Sequence, residues 1–363
     1  MQATVEYLMN QEPGSAYCEA ADRALEAARE TGDAELIGNA LFECARSGVN
    51  GGNEARVTAV RSQTESAMNE AGRDVPPILR YTKAYCDFFF FDLASAAAEL
   101  ERAISTLNAR QDPVGLSLAY TGRGACKSGL CEFDAACEAY GKALQYSTRI
   151  GDDLKSAIIT SNLCAAKLHQ GDFPSAVAFG QQAVAIASNA FTPRSVAFHL
   201  NLASALLMSG DRDAAQRAVS AAERAVRSER SWTTNMEFLL GYACFALESG
   251  NVTLALQMTE SAERHAWGKE RAVPNAGLFD KLRVYRMVHT GGPDAARPLV
   301  LECQQKYRHR HPFFYLDSIA CGAWLERLSL GRYTADSETA LGLFDRLGAR
   351  GLRAILVAQG ILV

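Results

Sequence analysis

The chain lacks a long apolar run. No stretch reaches the roughly 18 consecutive apolar residues that a membrane-spanning helix needs. The first residues, MQATVEYLMNQEPGS, contain neither a basic segment nor an apolar segment, so they predict no secretory signal. A net charge of −4 gives no basic face for DNA or RNA. The sequence therefore predicts a cytoplasmic protein with neither a membrane nor a nucleic acid as a direct partner.

Motifs that carry chemistry are also absent. The sequence contains no G-x-S-x-G, no H-E-x-x-H, no EF-hand loop and no C-x-x-C pair. The run from Gly122 to Ser128 resembles a phosphate loop, but it lacks the glycine before the lysine and no strand precedes it. His309 and His311 alone are too few for a metal site. We therefore predict no enzyme activity, no cofactor and no bound metal.

What the sequence does contain is a repeat. Small residues recur 39 to 41 residues apart, each early in a predicted helix: Ala96, Ala136, Ala176, Ala215, Ala255 and Ala296. A fixed period of about 20–50 residues is typical of a solenoid. The clearest unit is residues 161–183, SNLCAAKLHQGDFPSAVAFGQQA, which predicts a helix, a tight turn and a second helix.

Residue types within the unit recur for physical reasons. Glycine ends the first helix at Gly171, Gly210 and Gly250, because it accepts the left-handed conformation. The aspartate or asparagine that follows each of them caps the next helix. Cys164 and Cys244 stand at small, core-facing positions, so we interpret the 10 cysteines as reduced packing residues rather than as disulfides.

The pattern N-L-x-x-A followed by G-D-x-x-x-A resembles the tetratricopeptide repeat. The resemblance covers residues 76–306 and departs from the family in its period, which is about 34 residues in the standard unit. Armadillo and HEAT repeats, with periods of about 40–47 residues, are the structural alternative. The resemblance implies an all-α, right-handed superhelix of about eight to nine antiparallel helix pairs.

We divide the chain into three parts. Residues 1–75 hold less regular helical repeats, beginning with helices over 2–10 and 14–31; a loop, GVNGGN, is predicted between helices over 34–47 and 54–70. Residues 76–307 hold the regular repeats. Residues 308–363 are predicted to form a last helical repeat and a cap, and the apolar end, Ile361 to Val363, leads us to expect continuation into a longer protein.

The segment ALGLFDRLGARGLRAIL near the end resembles the helical-repeat region of large bacterial regulators. These are multidomain ATPases with LuxR-type or cyclase effector domains. The resemblance implies a sensor or regulatory domain in signal transduction or transcription. The alternative is a stand-alone scaffold for protein–protein interaction.

Candidate binding residues follow from the repeat register, which places each first helix on the concave wall. Four aromatic residues at i, i+4, i+7 and i+8 form one helix face that could anchor a ligand, and core packing between repeats is the favoured alternative. The asparagines of two units align, and the resemblance to the tetratricopeptide repeat implies that they hydrogen-bond a peptide backbone; water is the alternative partner. The predicted concave site comprises Tyr81, Tyr85, Phe88, Phe89, Thr121, Asn162, His169, Asn201, Lys281 and Tyr285. Its expected partner is a peptide, a protein domain or a small-molecule ligand.

Overall fold

The computed structural model describes residues 15–190, 195–228, 232–266 and 276–363. The predicted helix over 2–10 lies outside these ranges. The helices are α1 (Ser15–Thr31), α2 (Ala34–Gly51), α3 (Glu54–Ala71), α4 (Pro77–Phe89), α5 (Leu93–Arg110), α6 (Pro113–Gly129), α7 (Phe133–Arg149), α8 (Asp153–Gln170), α9 (Phe173–Ala190), α10 (Ser195–Met208), α11 (Arg212–Ser228), α12 (Trp232–Glu248), α13 (Val252–Ala266), α14 (Ala276–Gly291), α15 (Pro293–Tyr307), α16 (Pro312–Leu330), α17 (Ala335–Leu341), α18 (Leu343–Arg346) and α19 (Arg350–Ala358). None of the helices in these ranges is long and apolar enough to cross a membrane.

Successive helices pack as antiparallel pairs, which confirms the predicted all-α solenoid. Each even-numbered helix from α2 to α14 packs against its own partner and against the next even-numbered helix. The even-numbered helices therefore form the inner wall of the superhelix, and their partners form the outer wall. Burial between neighbouring pairs replaces a single central core, as expected for a repeat protein.

The six recurring alanines explain how close the helices come. Each is the fourth residue of its helix, and none is more than 1% exposed. Gly124 marks a similar contact on α6, where a β-carbon would lie 2.5 Å from the Tyr140 ring. The predicted register is confirmed at these positions.

The turns follow the predicted glycine and cap chemistry. Gly171, Gly210 and Gly250 have φ angles of 93°, 94° and 81°, in the left-handed region. In the same turns, Asp211 accepts a hydrogen bond from the amide of Ala214, and Asn251 accepts one from the amide of Leu254. Because helices α5 to α9 are 17 or 18 residues long and the turns are short, the unit is longer than the standard tetratricopeptide repeat.

The predicted GVNGGN loop is wrong, because α2 continues through most of it to Gly51. Gly48 lies at a close helix contact, where a β-carbon would come within 2.9 Å of Val57. Tertiary packing therefore overrides the low helix propensity of the glycines. The helix ends at Gly52, whose φ of 63° supplies the left-handed cap.

Ala176→Leu is expected to destabilise the chain by about 1–3 kcal/mol, because it overpacks a fully buried contact in α9. Urea unfolding followed by circular dichroism measures the change. Ala178→Leu, on an exposed position of the same helix, is the matched control and is expected to leave stability unchanged. Equal midpoints for the two variants would contradict the register.

After α16 the chain leaves the regular stack. Three short helices follow, and the last, α19, packs on the inner-wall helices α8 and α12. Helix α16 itself packs against α6, five pairs earlier in the superhelix. The late repeats therefore return to the early ones, and an open cavity lies between them.

Candidate functional site

A cavity of about 790 Å³ lies where the late repeats return to the early ones. Its size is that of a pocket for a small organic molecule or a few peptide residues. We call it the aromatic cavity, because ten of its lining residues carry rings: Tyr85, Phe88, Phe89, Phe90, Phe91, His169, Phe279, His311, Phe313 and Phe314. The lining also includes six charged residues: Glu54, Glu237, Asp280, Arg283, Lys306 and Arg310.

One wall is the aromatic face of α4 that the sequence analysis singled out. Tyr85, Phe88 and Phe89 line the cavity, and Phe88 is 37% exposed, unusually open for a phenylalanine. Tyr81, one turn earlier, stacks on Tyr85 with 6.5 Å between ring centroids. Tyr81 is not part of the lining and supports the wall from behind, in edge contact with Phe42.

The opposite wall comes from the junction of α15 and α16. Phe91, in the turn after α4, reaches across to this junction and contacts the rings of Tyr307, His311 and Phe314 at centroid distances of 5.5–5.7 Å. His311 stacks on Phe314 at 3.8 Å. These rings close the cavity between residues about 220 positions apart in the sequence.

Phe91 occupies a strained backbone position. Its φ of 61° places it in the left-handed region, at the place in the repeat where Gly171, Gly210 and Gly250 stand. Cys131 has the same conformation, with a φ of 62°. A side chain in this region costs roughly 1–2 kcal/mol. Phe91 is not among the residues predicted from the sequence, although a phenylalanine in the place of a repeat glycine was a signal that could have identified it.

The charged residues are partly neutralised. The Tyr307 hydroxyl donates to Asp280 Oδ2 at 2.8 Å, and Lys306 Nζ lies 3.3 Å from the same oxygen. Arg283 pairs loosely with Asp280 and with Glu263. Arg310 is exposed and, within the part of the chain that the structure describes, has no carboxylate partner. Its guanidinium is therefore free to bind an anion.

Both histidines of the cavity are neutral at physiological pH. Burial lowers the pKa of His169 to about 4, and the nearby Lys281 charge adds to the shift. Burial also lowers the pKa of His311 to about 4, and its Nδ1 accepts a hydrogen bond from the amide of Phe314. Among the described residues, no three His, Cys, Asp or Glu side chains converge as a metal site requires. The cavity therefore offers aromatic surface together with charged groups of both signs, among which Arg310 is a cation without a carboxylate partner in the described part of the chain.

Comparisons with known proteins identify the type of repeat and the fold. Residues 116–189 match the family model described as tetratricopeptide repeat. No curated protein sequence matches the chain. A Rap protein complexed with competence and sporulation factor has a TM-score of 0.65 at 11% identity, over 95% of this chain and 99% of that one. The fold is a tetratricopeptide-repeat solenoid.

Two further solved structures share the solenoid. The apo form of the quorum sensor NprR from B. thuringiensis has a TM-score of 0.55 at 10% identity, over 92% of this chain and 97% of that one. NprR in complex with its cognate peptide NprX has a TM-score of 0.50 at 12% identity, over 89% and 98%. Identities this low establish the fold and leave function to the site.

Four of the ten predicted binding residues, Tyr85, Phe88, Phe89 and His169, are brought together by the tetratricopeptide-repeat solenoid in the aromatic cavity. Other predicted residues lie on the inner wall with partners of their own. The Thr121 hydroxyl donates to the carbonyl of Ser117 in its own helix. Asn201 Nδ2 donates to the Ser161 hydroxyl of the neighbouring pair at 3.0 Å. Asn162 lies half-buried on α8. The structure does not place these three residues in the lining.

Lys281 and Tyr285 lie on α14 and do not line the cavity. Lys281 Nζ is 3.5 Å from Asp317 Oδ1, and both side chains are 4% exposed. Burial lowers the pKa of Lys281, but the Asp317 carboxylate, together with Cys244, Cys321 and Glu248, outweighs burial, so the pKa is raised and the ammonium stays charged. Tyr285 stacks between His289 and Trp324, at 4.4 and 5.1 Å. Their predicted role in ligand binding remains a prediction.

Proposed function

We propose that this chain is a non-enzymatic sensor that binds a short peptide or a small organic anion in the aromatic cavity. The observation that carries the proposal is the cavity itself, which is walled by residues of both the early and the late repeats. A ligand held there contacts both ends of the superhelix at once. Binding therefore favours the closed form, and the change is available to any domain or partner that contacts the solenoid.

The lining indicates the chemistry of the ligand. Exposed rings such as Phe88 favour an aromatic or large aliphatic group, because such a group removes apolar area from water at both surfaces. Arg310 favours a carboxylate, which its guanidinium binds with two parallel hydrogen bonds. A peptide with a hydrophobic side chain next to its free carboxyl end fits both requirements.

The similar structures support this direction. A Rap protein and NprR share the solenoid over nearly their full lengths, and the NprR structure holds a cognate peptide. We further propose that the chain is a regulatory module of a bacterial signal-transduction or transcription regulator. Regulators of this kind carry ATPase and LuxR-type or cyclase domains. The alternative is a stand-alone scaffold, which binds proteins without a cavity ligand.

The test uses 8-anilinonaphthalene-1-sulfonate, an aromatic anion, as a fluorescent probe of the cavity. We expect saturable binding at one site on the full chain. Arg310→Glu is expected to weaken that binding about tenfold or more, because a hydrogen bond to a charged group contributes about 1.5–3 kcal/mol. Phe88→Ala is expected to weaken it by removing part of the aromatic wall. Titration of the probe at constant protein concentration gives the dissociation constants.

Arg308→Glu is the matched control, since Arg308 is an exposed arginine of the same loop that does not line the cavity. It makes the same charge change and is expected to leave binding within about twofold, which screening at physiological salt allows. Equal losses for the two arginine variants would mean that the probe responds to overall charge. Undiminished binding to both Arg310→Glu and Phe88→Ala would exclude the cavity as the site and favour the scaffold alternative.

A further inference from the structure

Two buried side chains near the end of the chain each hold a polar atom without a partner. Glu248, the last residue of α12, is 9% exposed, and Gln359, the residue after α19, is 3% exposed. One hydrogen bond joins them, because Gln359 Nε2 donates to Glu248 Oε1 at 3.2 Å. Within the described part of the chain, Glu248 Oε2 and Gln359 Oε1 accept no hydrogen bond. Unpartnered buried polar atoms are costly, so the pair needs a second hydrogen bond.

An ionised carboxylate cannot supply that bond. Carboxylate oxygens and the amide oxygen of glutamine are all acceptors, so neither Glu248 Oε2 nor Gln359 Oε1 has a hydrogen to give. A protonated carboxyl has one O–H donor. A proton on Glu248 Oε2 therefore turns two unpartnered acceptors into a donor and an acceptor, and it closes a ring of two hydrogen bonds between the side chains.

The charges around the pair also favour a neutral carboxyl. Among the described residues, Glu248 has no ion-pair partner, and the cation that acts on it, Lys281 of α14, is paired with Asp317 at 3.5 Å. The buried ammonium thus balances one carboxylate, and a second carboxylate would leave an uncompensated buried charge. Burial raises the pKa of the Glu248 carboxyl to about 7. Hydrogen bonds from Ser204 and Gln359 and the charge of Lys281 oppose that rise without cancelling it.

The other helices packed on the end of α12 add no competing titration. Within the described ranges, α11 and α13 contribute no charged group that acts on Glu248. From α10 comes only the uncharged Ser204. The Cys244 thiol, one turn earlier on α12, is neutral because burial raises its pKa to about 12. Arg353 of α19 pairs with Asp345 at 3.3 Å. A proton that this cluster gains or loses near neutral pH is therefore held by Glu248.

We propose that Glu248 is a neutral acid that donates its proton to Gln359 Oε1, and that this acid–amide pair makes the stability of the solenoid sensitive to pH near neutrality. The pair joins the inner-wall helix α12 to the residue that follows α19. Loss of the proton leaves both acceptors unpartnered and adds a buried negative charge, so the folded chain is destabilised. Glu248 does not line the aromatic cavity, and failure of this proposal would leave the cavity proposal standing.

Stability is expected to fall with rising pH, because folding raises the pKa of the Glu248 carboxyl from its ordinary 4.5 to about 7. The contribution is complete below the lower value and is lost as pH rises through the higher one. From pH 6 to pH 8, the unfolding equilibrium constant of the wild-type chain is expected to rise about tenfold through this group. Urea unfolding followed by circular dichroism at both pH values measures the rise.

Glu248→Gln replaces the acid by a permanently neutral amide, which donates to Gln359 Oε1 and accepts from Gln359 Nε2 as the acid does. This variant is expected to match the wild type at pH 6 and to lack the tenfold rise. Glu260→Gln, at an exposed position of α13, is the matched control and is expected to keep the rise. An equal rise in the wild type and in Glu248→Gln would overturn the proposal.

If Glu248→Gln does not fold, carbon-13 NMR of the wild-type chain, labelled at the glutamate side-chain carboxyls, decides. The Glu248 signal is expected to titrate with a midpoint near pH 7. Exposed glutamates titrate near their ordinary pKa of about 4.3 and serve as the internal reference. A spectrum in which every glutamate is already ionised at pH 6 would overturn the proposal as well.

Discussion

Lys281→Met is expected to lower the free energy of unfolding by about 3–5 kcal/mol, because it leaves the Asp317 carboxylate buried without its counter-ion. The two charged groups lie 3.5 Å apart, with 4% of each side chain exposed, and join α14 to α16. Methionine fills a similar volume to lysine, so the change removes the charge with little loss of packing. Urea unfolding followed by circular dichroism gives the difference.

The double variant Lys281→Met with Asp317→Leu separates the charge from the packing. Replacing both partners of a buried pair by apolar groups is often neutral, so most of the lost stability is expected to return. The exposed pair Lys142 and Glu138, 2.7 Å apart on α7, is the surface control. Lys142→Met is expected to leave the urea midpoint unchanged. A Lys281→Met urea midpoint equal to that of the wild type would show that the ion pair does not contribute to stability.

The regular repeats could be predicted from the sequence because their determinants are local. Residues such as Ala136 and Ala176 pack against the neighbouring helix, and Gly171 ends a helix, so each acts on structure a few residues away. The period therefore reveals both the close helix contacts and the turns. The α4 face was also recognisable, since Tyr85 and Phe89 are one helical turn apart. A helical period does not, however, say whether rings face a core or a cavity.

The rest of the site depends on the curvature of the superhelix. Phe314 meets Phe91 only because small rotations from one pair to the next add up until α16 reaches α6. No pattern of 40 residues encodes that sum. The ion pair of Lys281 could not be predicted for the same reason. Its position in the repeat predicts the inner wall, but its buried partner Asp317 lies on the next helix pair.

Phe91→Ala is expected to open the superhelix and to destabilise the chain by about 2–4 kcal/mol. The ring contacts Tyr307, His311 and Phe314, and removing it leaves a gap between the early and the late repeats. The unfolding free energy gives the loss of stability, and small-angle X-ray scattering gives the opening as a larger radius of gyration. Binding of the anilinonaphthalene probe is expected to fall in parallel.

Phe91→Gly distinguishes the ring from the backbone. Both variants lose the ring, but glycine also relieves the left-handed strain at this position, so Phe91→Gly is expected to be about 1 kcal/mol more stable than Phe91→Ala. Gln111, with a φ of 53° at an exposed helix end, has the same left-handed backbone conformation but carries no ring that reaches a distant repeat. Gln111→Gly is expected to raise stability, by about 0.4–1 kcal/mol.

Comparing Phe91→Gly with Gln111→Gly shows whether the strained backbone at Phe91 is tolerated because its ring joins the early repeats to the late ones. If Phe91 stands in a glycine position only by chance, Phe91→Gly should stabilise the chain as Gln111→Gly does, and the radius of gyration should not change. If the ring closes the cavity, Phe91→Gly remains less stable than the wild type despite the relieved backbone. In that case the chain tolerates a strained residue at this turn because its side chain joins the two ends of the superhelix around the ligand.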